Sequence, residues 1–374
     1  MLKSYQNKRM NLSVPTDFSD EHLNGILRIN KEPEAIYPVG ELYGAMPFSP
    51  IGNLRPGLSL PNIGLDNLSK HIEKLNNFGL KFNYTLNSLW TNKMENNQSG
   101  LDKVLYFLKE LDGAGVRRTT ISLPWLVRFA HKNMPHWEIT ASIAAKVNNL
   151  QTLRQFKEYG ASRVVLDRDV NRKVSFIKNA CSTDMGITLL GTTPCILGCA
   201  EVNWHGLWSS IDSTCNTRGE PNVTVLEKPP MNCYAYLLNH PSEFLKIPWI
   251  RPEDLHLYDD LGVDTIKLDG RDRPLEYNLE KTRAFALGSF EGNLLYLLYN
   301  KFPHDRRAFL MGEGKYRFFI DNKSLDGFLP AFFDKLECED NCDSCRHCIN
   351  YSEKFLEFDE KWRLSEIKKI VESS

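Results

Sequence analysis

Nine cysteines fall in the second part of a 374-residue chain, none of them before position 181. Four make the run Cys338-x3-Cys342-x2-Cys345-x2-Cys348. A segment this short cannot build an apolar core, but its four thiolates can wrap one metal centre. Zinc accepts four thiolates, and so does an iron–sulfur cluster. The run therefore predicts either a [4Fe–4S] cluster or Zn2+. Glu337, Glu339, Asp340 and Asp343 surround it and predict a solvated position.

A second pair stands in Pro194-Cys195-Ile196-Leu197-Gly198-Cys199. Directly after a strand, this spacing sets two thiols on one loop or first helical turn, close enough to share a metal. Cys181, Cys215 and Cys233 flank it, and a cluster asks for four ligands. The competing reading is a set of buried structural thiols, since Cys is among the most buried residue types. Two four-ligand sites would use eight of the nine cysteines.

A third group could move protons or hold an anion. Lys267, Asp269 and Arg271 alternate along and beyond an apolar run. Alternate residues of a strand share one face, so the reading places all three on one side. Turned inward, they would offer a guanidinium for a substrate carboxylate and groups able to transfer protons. A structural ion-pair set is the alternative. Glu41, Tyr43 and His205 are weaker additions to the same site.

These residues need a frame. Short apolar runs at 36–43, 80–87, 119–123, 137–143, 163–167, 187–192, 245–250 and 263–268 read as strands. Helix-period segments lie between them at 65–78, 101–113, 126–132, 147–159, 171–180 and 252–261, with a longer one at 275–299. Eight strands alternating with helices predict a (β/α)8 TIM-barrel-like domain, ahead of an open doubly wound sheet. The expected organisation is an N-terminal extension at 1–33, the barrel at 34–304, and a Cys-rich tail at 305–374 ending in a helix over 351–371. Residues 193–244 form a long connection, which in a barrel lies on the face that carries active sites.

Composition narrows the function. Hydrophobic residues make up 42% and charged residues 25% of the chain, a globular balance. The net charge of −1 gives no indication of nucleic acid as a partner. No stretch has the length and apolarity of a signal peptide core or a membrane span, so a cytoplasmic location without membrane is expected. Thiols stay reduced there, which favours metal over disulfides.

Several segments resemble the peptidase U32 family. They are the stretch ITASIAAKVNNLQTLRQFKEYGASRVVLDRD at 139–169, WIRPEDL at 249–255, and DTIKLDGR at 264–271, which is similar to that family's Leu-Lys-Ile-Glu-Gly-Arg strand. The resemblance covers roughly 34–300. It implies a barrel-like fold and, in several members, a [4Fe–4S] cluster held by four cysteines. Those members serve oxygen-independent hydroxylation in ubiquinone synthesis and hydroxylation of RNA. Cys181-x13-Cys195-x3-Cys199 nearly matches a Cys-x12-Cys-x3-Cys run in one of them. On this basis Cys195, Cys199 and Cys233 are expected to share a cluster, with Cys181 or Cys215 as the fourth ligand.

Two departures stand out. The family's Glu-x-Phe-x-His-Gly-Ala signature is represented only by Glu201-Val202-Asn203-Trp204-His205-Gly206, and the ligand near the N-terminus has no counterpart. There is neither a nucleophile elbow nor an HExxH helix. The resemblance thus implies an iron–sulfur redox enzyme acting on a small organic substrate or a modified macromolecule, with a related protein as a possible partner. The alternative is a U32-type hydrolase or a binding subunit with structural metal.

Overall fold

The computed structural model describes residues 9–47, 49–55, 57–215, 229–298 and 317–373. Eight parallel strands close into a barrel in sequence order. They are β1 Asn11–Pro15, β2 Val39–Gly44, β3 Lys81–Leu86, β4 Arg118–Ile121, β5 Glu138–Ala141, β6 Arg163–Val165, β7 Gly186–Leu190 and β8 Thr265–Lys267. Closure is made by β1 on β8, with Asn11, Leu12 and Ser13 opposite Thr265, Ile266 and Lys267.

The expected fold class holds, but one strand assignment does not. The first strand lies in the segment read as an N-terminal extension, so the barrel begins at Asn11 rather than at residue 34. Residues 245–250 are not a strand. The helix Glu243–Lys246 opens that run, Pro248 has no N–H to give a ladder, and Arg172 takes the carbonyls of Leu245, Lys246 and Ile247. The run is apolar because it is packed into the core, where Trp249 and Ile250 are buried.

Leu12, Val14, Leu42, Ile121, Ile139, Val164, Ile187, Leu189 and Ile266 are fully buried and alternate with polar residues along the strands. The polar set faces the barrel interior, where it forms a hydrogen-bonded girdle. Ser13 donates to Glu41 Oε1 at 2.7 Å, and Arg118 bridges Glu41 at 3.3 Å and Glu138 at 3.0 Å. Arg163 joins Glu138 at 3.3 Å and Thr265 at 2.8 Å, and Thr265 returns to Asn11 at 3.2 Å. Asn83 adds a bond to Glu41 at 3.3 Å and accepts from Thr120 at 2.8 Å. Buried polar groups are tolerated here because each finds a partner across strands.

The helix expected over 275–299 is two. Gly288, at φ +64, ends Leu275–Leu287 in a left-handed cap, and Leu294–Leu298 follows. The final helix is likewise split, into His347–Phe355 and Glu360–Ser373, by the strand Glu357–Phe358. That strand pairs antiparallel with Phe318–Phe319. Arg251 pins the tail to the barrel. It is buried, binds Asp254 at 2.9 Å and Asp326 at 2.8 Å, and donates to the Asn322 carbonyl at 2.7 Å.

Candidate functional site

The C-terminal ends of the strands carry the polar residues singled out from the sequence. Lys267, at the end of β8, points into the barrel, with Nζ 3.7 Å from the centroid of the Tyr43 ring. Burial is the main reason its pKa falls to about 7. Arg271 and Arg163 add to the fall, while Glu41 opposes it. Tyr43 is fixed in turn by donating its hydroxyl to the Leu268 carbonyl at 2.7 Å.

Arg271 also reaches the interior. It is buried and donates to Thr85 Oγ1, on β3, at 2.7 Å. Burial and the neighbouring Arg55 lower its pKa to about 10. A guanidinium held this way keeps its charge and seeks an anion. Arg55, from the loop after β2, stands 3.7 Å from Asp272. Burial works against the charge of Arg55, but Asp272, Asp269, Tyr43 and Cys195 together raise its pKa.

Asp269 behaves differently from its expected companions. β8 ends at Lys267, and Gly270 at φ +124 turns the chain, so strand alternation does not extend to 269 and 271. Asp269 accepts from Thr192 Oγ1 at 2.7 Å and faces buried Lys281 at 3.7 Å on the helix Leu275–Leu287. It anchors the rim, and its charge also acts on Tyr43 and Arg55. Glu41 is also committed, with both carboxylate oxygens engaged in the girdle. Its charge acts on Lys267 through space.

His205 lies on the helix Val202–Cys215, with its ring 6.3 Å from Trp208. This helix presses on the loops after β2 and β3. A Cβ on Gly206 would meet Leu89 Cδ1 at 2.7 Å, Ser210 Oγ accepts from Leu89 N at 2.9 Å, and Ser213 Oγ accepts from Asn53 N at 3.0 Å.

The cysteines divide by location. Cys195 and Cys199 sit on the loop after β7, which Gly198 ties to Asp169 on the loop after β6 at 3.3 Å. Between these loops lies Arg168, only 7% exposed. Its Nε and Nη2 have no hydrogen-bond partner. Burial disfavours its charge, yet Cys195, Asp169, Asp167 and Cys199 raise its pKa. Sequence reasoning passed over Arg168, because only the fold shows that it is buried, with two thiols near enough to act on its charge.

Cys181 is not with them. It ends the helix Val174–Cys181, at the opposite end of the barrel, where burial and Asp264 push its thiol up to about 12. The five residues of β7 separate that end from the Cys195 loop by about 16 Å at ~3.3 Å per residue. A ligand role beside Cys195 is therefore excluded for Cys181 by topology. Cys233 is buried on the helix Pro229–Asn239. Cys215 closes the helix Val202–Cys215, and its side chain lies outside the described residues.

Cys338, Cys342, Cys345 and Cys348 line one cavity of about 120 Å³ together with Arg172 and Leu197. The spacing thus does bring these four to one place. The acidic residues of this loop, Glu337, Glu339, Asp340 and Asp343, are exposed, as their composition suggests. Asp340 pairs with Lys173 at 2.6 Å, and Glu337 accepts from Ser175 Oγ at 2.8 Å, so they tether the tail to the loop after β6. Among the described residues, no helix is long and apolar enough to cross a membrane.

Residues 53–199 match the model of peptidase family U32. An uncharacterized protease of Methanocaldococcus jannaschii is 25% identical over 352 residues, covering 92% of this chain and 98% of that protein. A tRNA hydroxylation protein, P1, of Bacillus subtilis is 24% identical over 275 residues, 68% of this chain and 62% of that protein. A solved structure of a U32 peptidase superposes with a TM-score of 0.50 at 12% identity, over 73% of this chain and 98% of that one, a likeness of fold. The family match falls on the strands and loops that carry Arg55, Arg168 and Cys195, and over that region this chain is similar to the peptidase U32 family.

Proposed function

We propose that this protein is an iron–sulfur redox enzyme whose barrel mouth binds an anionic organic or RNA-derived substrate for oxygen-independent hydroxylation. The observation that carries this reading is Arg168, a buried guanidinium whose Nε stands 3.7 Å from Asp169 and whose Nη2 has no hydrogen-bond partner, on the loop that Asp169 ties to the Cys195–Cys199 loop. A cluster with four thiolates is an anion, and a buried guanidinium with a donor left over beyond its pair with Asp169 offers such a group a counter-charge. The Bacillus subtilis relative named for tRNA hydroxylation supports the same direction.

The donor set fits a [4Fe–4S] cluster in part. Cys195 and Cys199 would hold it, with Cys233 and Cys215 as the remaining ligands, since Cys181 lies at the other end of the barrel. When bound, the cluster supplies single electrons at the mouth. The chain's own residues do the rest. Arg271, fixed by Thr85, binds a carboxylate or phosphate of the substrate. Lys267, neutral above about pH 7, accepts a proton at Nζ. Tyr43 keeps the lysine in place. A reducing compartment such as the cytoplasm suits this chemistry.

A second reading, a U32-type hydrolase with structural metal, is favoured by Lys267, a proton-transfer group that needs no electrons. The Methanocaldococcus jannaschii relative, described as an uncharacterized protease, points the same way. Anaerobic purification and iron and sulfide analysis of Cys195→Ala against the wild type separates the two. Loss of iron and of visible absorbance supports the redox reading. Unchanged iron in that variant removes it.

A further inference from the structure

We infer that Cys338, Cys342, Cys345 and Cys348 hold a second iron–sulfur cluster, built by docking the tail onto Arg172 of the barrel. All four cysteines line the same cavity of about 120 Å³. The inference concerns these four thiols alone and stands whether or not the barrel mouth carries a cluster.

Arg172 is what makes this a built site rather than a surface loop. It follows β6, is only 3% exposed, and is held rigidly. Nη1 donates to the Leu245 carbonyl at 2.9 Å and Nη2 to the Ile247 carbonyl at 2.7 Å. The guanidinium lies 5.0–5.4 Å from the ring centroids of Trp249, Phe328 and Phe332. From this cage Nη1 also reaches Cys348 Sγ at 3.4 Å, and buried Nε has no hydrogen-bond partner. A fixed guanidinium aimed at a thiol is the partner of an anionic thiolate centre, and N–H groups directed at sulfur are a means by which proteins set cluster potentials.

The shared cavity and the guanidinium on Cys348 favour a cluster over one ion. Zinc, with Zn–S bonds of ~2.3 Å, would draw four sulfurs to within about 4 Å of each other. Here the four cysteines line a common cavity of about 120 Å³, with Arg172 aimed at one of them. In an iron–sulfur cluster each thiolate takes its own iron, so the ligands stand apart around a larger core. Leu197, from the Cys195–Cys199 loop, lines the same cavity, so the tail centre adjoins the barrel's own cysteine loop.

The test uses the full chain purified without oxygen, with iron, sulfide and zinc measured per chain. Cys342→Ala/Cys345→Ala should lose one cluster's complement of iron and sulfide while far-UV circular dichroism stays unchanged. Cys195→Ala/Cys199→Ala should keep that complement. If the barrel-mouth reading fails, the wild type holds a single complement, and the tail variant loses all of it while the barrel variant loses none. Iron unchanged in the tail variant, or zinc lost in its place, overturns the inference. Cys345 is exposed, so Cys345→Ala alone provides a variant that folds. Its reduced form should lack the paramagnetic signal of one cluster, and an intact signal set likewise overturns the inference.

Discussion

The Lys267 ammonium lies 3.7 Å from the centre of the Tyr43 ring, inside the barrel and in register with Ser13, which holds Glu41 in the girdle. This placement brings its pKa to about 7. A lysine so depressed binds fewer protons in the folded than in the unfolded chain between about pH 7 and ~10.4. Its penalty on stability is absent above that window, grows as pH falls through it, and is constant below pH 7. Lys267→Met should therefore be more stable than the wild type at pH 7, by on the order of a few kcal/mol, with the gap closing toward pH 10. Denaturant midpoints across pH 6–10 measure this, and a pH-independent gap would show that Lys267 is not depressed.

Cys181 and Cys195 should separate cleanly. Cys181 is buried at the end of the barrel away from the mouth. Cys181→Ala should keep full iron content and lose about 1 kcal/mol of stability through packing alone. Iron loss in this variant comparable to that of Cys195→Ala would contradict the topology.

Gly270 sets the path from Lys267 to Arg271. At φ +124 it occupies a region that side chains rarely adopt, and a Cβ there would meet Asn278 Oδ1 at 2.5 Å and Lys281 Nζ at 2.9 Å. Gly270→Ala should cost about 1–3 kcal/mol and weaken binding of anionic substrate by displacing Arg271. Thermal melting together with a substrate titration reads both effects, and a variant unchanged in both refutes this role for the turn.

A chain starting at residue 34, the boundary that the strand pattern suggests, should not fold. It lacks β1, leaving the ladder edges of β2 and β8 unpaired. Circular dichroism and size exclusion would show an aggregated or unfolded product, and a monomeric, cooperatively melting protein would refute the prediction.

Much of this architecture was legible because parallel strands buried on both sides read as apolar runs, as at 187–192 and 263–268. β1 was not, because Asn11, Ser13 and Pro15 leave Leu12 and Val14 as its only apolar residues. The apolar run at 245–250 took its place in the count, since periodicity does not distinguish a buried strand from a buried loop. In the site, the interior position of Lys267 followed from strand alternation, whereas Arg271 reaches the interior through the turn at Gly270 and not through its spacing. Arg168 and Arg172 were not legible, because an arginine looks like a surface residue in sequence and shows its role only when the fold buries it. Cys181 misled for the complementary reason: the thirteen intervening residues contain a turn, a whole strand and the start of the next loop, so nearness in sequence becomes separation in space.

The girdle has a consequence for biosynthesis. Its last bond joins Thr265 to Asn11, 254 positions apart. While the chain emerges from the ribosome, the early strands have no edge to close on until β8 is made, and contacts this distant in sequence are slow to form. Incomplete chains expose unpaired strands and apolar surface, the conditions under which nascent proteins aggregate. Lys267 and Arg271 come into place only at that final step, and the tail thiols are synthesised later still. Any metal delivery that needs a closed barrel therefore waits for β8, so expression that outruns it should yield folded, metal-poor protein.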